Sequence, residues 1–168
     1  MTDVAQPARP PITRLTTSSV LHSFAPLLRK RADLNNPSRV LVTASVAGLG
    51  VGTVGPNATF GYSASKAAVL HLTRNLAVEL GPQYILCNAI APGFFPTKMA
   101  NGLMELTGGT EQLAMATPNR RLGRAEDIAG TVVFLCSRAS GHVNGGCVLI
   151  QIIYGSDFIT MKYQRIEN

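Results

Sequence analysis

Residues 61–69 read Gly-Tyr-Ser-Ala-Ser-Lys-Ala-Ala-Val and place Tyr62 four residues before Lys66 at the start of a predicted helix. Residues at positions i and i+4 lie one above the other on the same helical face. A cationic amine beside a phenol favours the phenolate, so a pKa that is ordinarily about 10 moves toward neutral pH. Such a tyrosine can act as a general acid or base. Taken alone, the pair also fits a helix-end aromatic residue beside a solvated charge.

Strands are predicted on both sides of this helix. Residues 39–45 form a short apolar run rich in β-branched residues, which is typical of a buried parallel strand. Residues 85–90 and 147–153 form two further runs. The order strand, helix, strand predicts a βαβ unit with a right-handed crossover. The density of Gly and Pro between residues 46 and 61 predicts a loop with no regular element.

Further helices are predicted around these strands. Apolar residues recur at helical spacing over residues 18–31, where Pro26 predicts a kink or a one-turn break. The helix that begins at Tyr62 ends at Leu80, and a last helix opens at residue 126. Weak helical stretches are expected over residues 98–106 and 111–116. The apolar stripe of the Tyr62 helix is predicted to be Val69, Leu72, Leu76 and Leu80, broadened by Leu70 and Ala77, which predicts burial on two sides.

The sequence predicts one domain with irregular ends. Residues 1–17 contain three prolines and little periodicity, which predicts a flexible lead. Residues 18–153 carry the alternating elements, and residues 154–168 are a divergent, charged tail. A chain of 168 residues that is 46% hydrophobic can bury one sizeable core.

Composition argues against several classes of protein. No apolar run reaches the about 18 residues that a bilayer requires, and the N-terminus lacks the apolar segment of a secretory signal. We therefore expect a cytoplasmic protein with no membrane partner. The net charge is +6, but the basic residues are mostly scattered and no nucleic-acid motif accompanies them. We expect no nucleic-acid partner.

No metal site is expected. The three cysteines are widely spaced in apolar contexts, without the close pairs that metal sites use, and are predicted to be buried free thiols: Cys87, Cys136 and Cys147. The three histidines lie on separate elements and are interpreted as structural or surface residues: His22, His71 and His142.

A series of motifs between Leu21 and Ile150 resembles the C-terminal half of the short-chain dehydrogenase/reductase family. The motifs occur in the family's order, which makes the match specific although no single motif is. They are Val-Thr-Ala-Ser-Val-Ala-Gly at 42–48, Tyr-Ser-Ala-Ser-Lys at 62–66, Cys-Asn-Ala-Ile-Ala-Pro-Gly at 87–93 with Thr97 after it, Arg-Leu-Gly-Arg at 121–124 before Glu-Asp-Ile-Ala at 126–129, and Val-Asn-Gly at 143–145.

The resemblance implies a fold and three catalytic residues. The fold is α/β, a partial Rossmann-like doubly wound parallel sheet of about three strands in order of occurrence, with flanking helices. Tyr62 is implied to protonate the developing alkoxide during carbonyl reduction, or to act as the base in alcohol oxidation. Lys66 is implied to lower the pKa of Tyr62, and Ser45 to hydrogen-bond the substrate carbonyl oxygen.

The implied cofactor is NAD or NADP, and the implied substrate is a small carbonyl compound or secondary alcohol. The hydride chemistry belongs to that cofactor. Lys66 is implied to hydrogen-bond the nicotinamide ribose, beside Tyr62. The nicotinamide is implied to be lined by Pro92, Gly93 and Thr97.

The sequence also departs from the family pattern. No glycine precedes Gly48, so the glycine-rich phosphate loop of the first βα turn is absent from this sequence. We interpret the chain as truncated, with the N-terminal cofactor-binding half missing and an open apolar strand edge beside residues 40–44. The family's acidic-glycine-glycine ending is replaced by Gln151 and two isoleucines.

An alternative interpretation is a non-catalytic interaction module. In the family, the two helices that correspond to residues 18–31 and 62–80 pack against the same helices of a second subunit. Both are present here, which predicts a homodimer or an association with a full-length relative.

Overall fold

The computed structural model describes residues 16–50, 58–97 and 109–151, which build a three-stranded parallel sheet with helices on both faces. The strands follow the order β1-β2-β3 across the sheet, as predicted. They are β1 (Ser38–Thr43), β2 (Ile85–Pro92) and β3 (Cys147–Ile150). The helices are α1 (Thr16–Arg29), α2 (Phe60–Leu80), α3 (Thr110–Met115) and α4 (Ala125–Cys136), with short 3-10 turns at Val46–Gly48, Gly81–Gln83 and Arg138–Ser140.

One face of the sheet is covered by α1 and α2. Ala77 and Leu80 of α2 pack against Ile85 and Cys87 of β2, with Leu28 of α1 at the edge of the cluster. The buried residues of α2 are Leu70, Thr73, Ala77 and Leu80. Leu70, Ala77 and Leu80 were predicted on this face, and the predicted Val69 and Leu76 are partly buried against the same clusters. Thr73 was not predicted. Thr73 can be buried on this face because its hydroxyl donates to the Val69 carbonyl at 2.9 Å.

The opposite face of the sheet is covered by α4. Cys147 of β3 packs with the cluster of α2 residues, whereas Val148 and Ile150 line a cavity together with Asp127 and Thr131 of α4. Alternate residues of a strand point to opposite faces. The helices α2 and α4 therefore lie on opposite faces of the sheet.

Asn144 fixes the end of α2 to the central strand. Its side-chain oxygen accepts from the Cys87 backbone N–H at 2.8 Å, and its Nδ2 donates to the Ala77 carbonyl at 2.9 Å. One side chain thus satisfies two backbone groups of buried residues. This contact holds α2 in place over β2.

Several elements differ from the prediction. The helix α1 runs through Pro26 without a break; Pro26 and His22 are both exposed, so water can satisfy the His22 carbonyl that loses its donor. A 3-10 turn at Val46–Gly48 occupies part of the predicted irregular loop. The strand β2 extends to Pro92 because the Gly93 N–H continues the ladder by donating to the Ile150 carbonyl at 2.8 Å.

Cys136 is exposed, which makes the prediction of three buried thiols wrong at this position. It is the last residue of α4, where the helix leaves the sheet. Burial raises the pKa of the Cys87 thiol to about 11, and it also raises that of Cys147.

Some predictions lie outside the described residues. These are the lead before residue 16, the helical stretch at 98–106 and the tail after residue 151. Within the described residues β1 pairs with β2 alone, so its other edge is open, although Val42 and Ala44 are themselves buried. None of the described helices is long and apolar enough to cross a membrane.

Candidate active site

Ser45 lies just beyond the carboxyl end of β1, where the backbone turns into the 3-10 helix. Its Oγ accepts from the Ala47 backbone N–H at 3.2 Å, which caps that turn. Among the described residues nothing accepts the Ser45 hydroxyl proton, and the residue is only 8% exposed. A serine hydroxyl can donate once while it accepts. Ser45 therefore keeps a fixed O–H donor at this edge of the sheet.

Gly48 brings this turn against the backbone of α2. A Cβ at position 48 would lie 2.6 Å from the Lys66 carbonyl carbon and 2.7 Å from the Ala67 nitrogen. Real Cβ atoms do not approach other atoms so closely, so only glycine allows the contact. The Ser45 turn and the Lys66 turn of α2 are thereby fixed side by side.

Lys66 and Tyr62 lie together in the first turns of α2, as their spacing predicted. The Lys66 ammonium donates to the Thr43 carbonyl at 3.1 Å, which ties it to the end of β1. It also lies 5.6 Å from the centroid of the Tyr62 ring, within the range of a cation–π contact. Tyr62 is 42% exposed, so its ring is open to an incoming molecule.

Pro92 and Gly93 reach the same edge of the sheet from the neighbouring strand. Thr43 lies opposite Ile90 in the register, and the Ala44 N–H donates to the Ile90 carbonyl at 2.8 Å. Ser45 and Pro92 are thus each carried to the carboxyl edge by adjacent strands, where open α/β sheets bind their ligands. Thr97 is exposed at the end of a described segment.

The segment from Thr117 to Asp127 stands beside this edge and is strongly anchored. Arg121 donates to both carboxylate oxygens of Asp127, at 2.6 and 2.8 Å, and Asp127 also accepts from the Arg124 N–H. The Thr117 hydroxyl donates to the Arg121 carbonyl at 2.9 Å. A bidentate arginine–carboxylate pair of this kind fixes geometry as well as charge.

Asp127 makes the acid stability of the protein testable. Its hydrogen bonds from Arg121 and from the Arg124 N–H hold the pKa of the carboxyl well below its usual range. The Asp127 carboxyl binds a proton more readily in the unfolded chain than in the folded one. Its contribution to folding stability is therefore present above a pH of about 4 and is lost as the pH falls below it. In acid titrations followed by circular dichroism, Asp127→Asn should show a weaker loss of stability below that pH than the natural chain. An identical acid dependence in the variant would contradict the assignment.

Gln151 is a residue of this edge that the sequence did not single out for function. It follows β3 directly, and its Nε2 donates to the Arg121 carbonyl at 2.9 Å. A Cβ at Gly93 would lie 2.8 Å from the Gln151 Oε1. The sequence signal for Gln151 was its replacement of the acidic residue that is usual in the family after the last strand.

A cavity of about 290 Å³ lies between this edge and α4. It is lined by Phe95, Asn119, Arg121, Gly123, Asp127, Thr131, Val148, Leu149, Ile150 and Gln151. Its charged members, Arg121 and Asp127, neutralise each other. None of the predicted catalytic residues lines this cavity, so it stands apart from the Ser45, Tyr62 and Lys66 cluster.

Comparison with known proteins identifies the family. Residues 13–151 match the family model described as enoyl-(acyl carrier protein) reductase. The chain is 41% identical over 120 residues to the short-chain dehydrogenase/reductase VdtF of Byssochlamys spectabilis, a match that covers 71% of this chain and 38% of that protein. It is 36% identical over 132 residues to the rhamnolipids biosynthesis 3-oxoacyl-(acyl-carrier-protein) reductase of Pseudomonas aeruginosa, covering 79% of this chain and 50% of that protein.

Solved structures agree with these relatives. The RhlG/NADP active-site complex of Pseudomonas aeruginosa matches with a TM-score of 0.71 and 33% identity, covering 80% of this chain and 53% of that one. A gluconate 5-dehydrogenase from Burkholderia cenocepacia in complex with NADP and tartrate matches with a TM-score of 0.67 and 27% identity, covering 78% and 48%. The chain spans about half the length of such relatives. With its family model, its relatives and its parallel sheet in agreement, the chain belongs to the short-chain dehydrogenase/reductase family.

Proposed function

We propose that this protein is an NAD(P)-dependent oxidoreductase that reduces a small-molecule carbonyl or oxidises a secondary alcohol. The observation that carries the proposal is the convergence of Ser45, Tyr62 and Lys66 at the carboxyl edge of the sheet. The names of the relatives support both directions, since one is a reductase of 3-oxoacyl groups and another a gluconate dehydrogenase.

Ser45 is assigned to hold the carbonyl oxygen of the substrate. Its Oγ is held by the Ala47 N–H, so its own proton is free to be donated to a ligand. Donors that are fixed before the reaction stabilise developing negative charge without reorganising. Ser45 would thus position the carbonyl and stabilise the oxygen as it becomes an alkoxide.

Tyr62 is assigned as the group that gives its phenolic proton to that oxygen. The Lys66 ammonium lies beside this ring, 5.6 Å from its centroid. Lys66 is itself kept in place by the Thr43 carbonyl. In alcohol oxidation the same phenolate would accept the proton.

The described residues fit the nicotinamide end of NAD or NADP, which supplies the hydride when bound. The Lys66 ammonium has three donors and uses one on the Thr43 carbonyl, so two remain for ribose hydroxyls. We assign Pro92, Gly93 and Thr97 to the nicotinamide, with Tyr62 beside the ribose.

The proposal is tested by titrating NADH and NADPH separately into the purified chain and following heat by calorimetry. Saturable binding of one of them, with oxidation of the bound cofactor when a ketone is added, is the expected result. Binding that is absent or only millimolar would overturn the enzymatic function for this chain.

A second candidate is an interaction module that pairs with another copy of the chain. Three apolar residues of α1 lie at helical spacing and are far more exposed than core residues: Val20 at 49%, Phe24 at 54% and Leu27 at 65%. A stripe of this kind marks an interface when it is contiguous. A dimer in sedimentation velocity without any cofactor binding would favour this candidate over the enzyme.

A further inference from the structure

We propose that Gln151 is a positioning residue of the nicotinamide site, holding the Pro92–Gly93 backbone against the end of β3. The inference rests on the proposed function, because it concerns the site that Pro92 and Gly93 are assigned to form. Its basis is the geometry of the Gln151 amide, which touches Gly93 at one end and Arg121 at the other.

Gln151 carries two features that cost stability. Its φ is +74°, in the left-handed region where residues other than glycine and asparagine are rare. Its Oε1 is buried and has no hydrogen-bond partner among residues 16–50, 58–97 and 109–151. Such costs are concentrated at functional sites, where the surrounding structure maintains them.

The contact with Gly93 is direct. The Gly93 N–H donates to the Ile150 carbonyl at 2.8 Å, so the two strand ends run side by side. A Cβ on Gly93 would lie 2.8 Å from the Gln151 Oε1 and 2.9 Å from the Gln151 carbonyl oxygen. The Gly93 Cα therefore packs on the amide and backbone of Gln151, and a side chain at position 93 would not fit.

The far end of the amide is held by a rigid segment. Gln151 Nε2 donates to the Arg121 carbonyl, which also accepts from the Thr117 hydroxyl. The Arg121 side chain is in turn fixed by the two carboxylate oxygens of Asp127. Gln151 thus connects Gly93 to a segment that is anchored independently of it, which is how an outer residue orients a site.

The Gln151→Met variant separates positioning from stability. Methionine keeps an unbranched side chain but removes both polar ends of the amide. The variant loses the Nε2 bond to the Arg121 carbonyl, but it also removes a buried oxygen that has no partner among the described residues, so thermal stability should change little. The Gly93 amide should nevertheless exchange with solvent faster, because its position is no longer held.

Binding is measured with reduced nicotinamide mononucleotide, whose fluorescence reports its own environment. We expect its dissociation constant for the full chain to rise about tenfold in Gln151→Met, the scale of one hydrogen bond. Gln83→Met is the matched control. Gln83 also has a buried, unpaired Oε1 and one Nε2 contact, to the Glu79 carbonyl, but it lies at the opposite end of β2.

Three results would be decisive. Weaker binding in Gln151→Met with unchanged binding in Gln83→Met supports the proposal. Unchanged binding in Gln151→Met, or equal weakening in both variants, overturns it while leaving the proposed function in place. If the natural chain itself fails to bind the mononucleotide, the proposed function fails, and the role of Gln151 fails with it.

Discussion

Gly48→Ala should lower the free energy of unfolding by about 3 kcal/mol, the upper part of the range for overpacking a tight contact. The added methyl group would meet backbone atoms of α2, at 2.6 Å from the Lys66 carbonyl carbon and 2.9 Å from its oxygen. A flexible side chain could swing aside, but a helix backbone with its hydrogen bonds in place cannot. The 3-10 turn must therefore move away from α2.

That movement would also disturb the candidate site. Ser45 begins the turn that Gly48 ends, and Lys66 is the residue against which the turn is packed. We therefore expect Gly48→Ala to weaken cofactor-dependent turnover even at temperatures where the variant is folded. A displacement of about an ångström at a reacting group is enough to reduce the rate strongly.

Gly50→Ala is the control for Gly48→Ala. It adds the same methyl group to the same connection, where nothing lies within 4 Å of the new atom. Because alanine also restricts the unfolded chain, this variant should match or slightly exceed the natural stability. Urea unfolding followed by circular dichroism compares the two. Equal urea midpoints for Gly48→Ala and Gly50→Ala would contradict the close packing of Gly48 on α2.

The strands of the sheet could be predicted because they are short apolar runs bounded by turns that contain Gly, Pro or Asn. The position of Tyr62 and Lys66 on one helix followed from their spacing alone. The family resemblance added Ser45 and Gly93, which are far apart in the chain and reach the same edge of the sheet through the parallel pairing of β1 with β2. Local sequence patterns therefore predicted the helices and strands, and the order of the motifs predicted the site residues.

What the sequence did not reveal depends on contacts between elements. The buried face of α2 includes Thr73, a polar residue that an apolar pattern cannot predict and whose hydroxyl is satisfied by the Val69 carbonyl within the helix. Nothing local distinguishes Gly48, which is confined by α2, from Gly50, which meets no atom. The role of Gln151 likewise depends on Gly93 and on Arg121, which its own segment does not contain.

Tyr62→Phe should lower the turnover number for carbonyl reduction by about a thousandfold, within the range for loss of a general acid. The change removes one hydroxyl and keeps the ring, so the cation–π contact with Lys66 remains. The hydroxyl makes no hydrogen bond to any described residue, and Tyr62 is 42% exposed. The fold should therefore lose almost nothing, and cofactor binding should change far less than turnover.

Tyr84→Phe provides the comparison that isolates the proton donor. Tyr84 is exposed to a similar degree, at 45%, but it lies just before β2, at the opposite edge of the sheet from Tyr62. Turnover is followed by the loss of reduced nicotinamide absorbance, and thermal unfolding is recorded on the same samples. A Tyr62→Phe protein that turns over as fast as Tyr84→Phe would exclude Tyr62 as the acid. Each variant loses one phenolic hydroxyl. A thousandfold loss of turnover in Tyr62→Phe alone, at equal thermal stability, would therefore identify the Tyr62 proton as the cause.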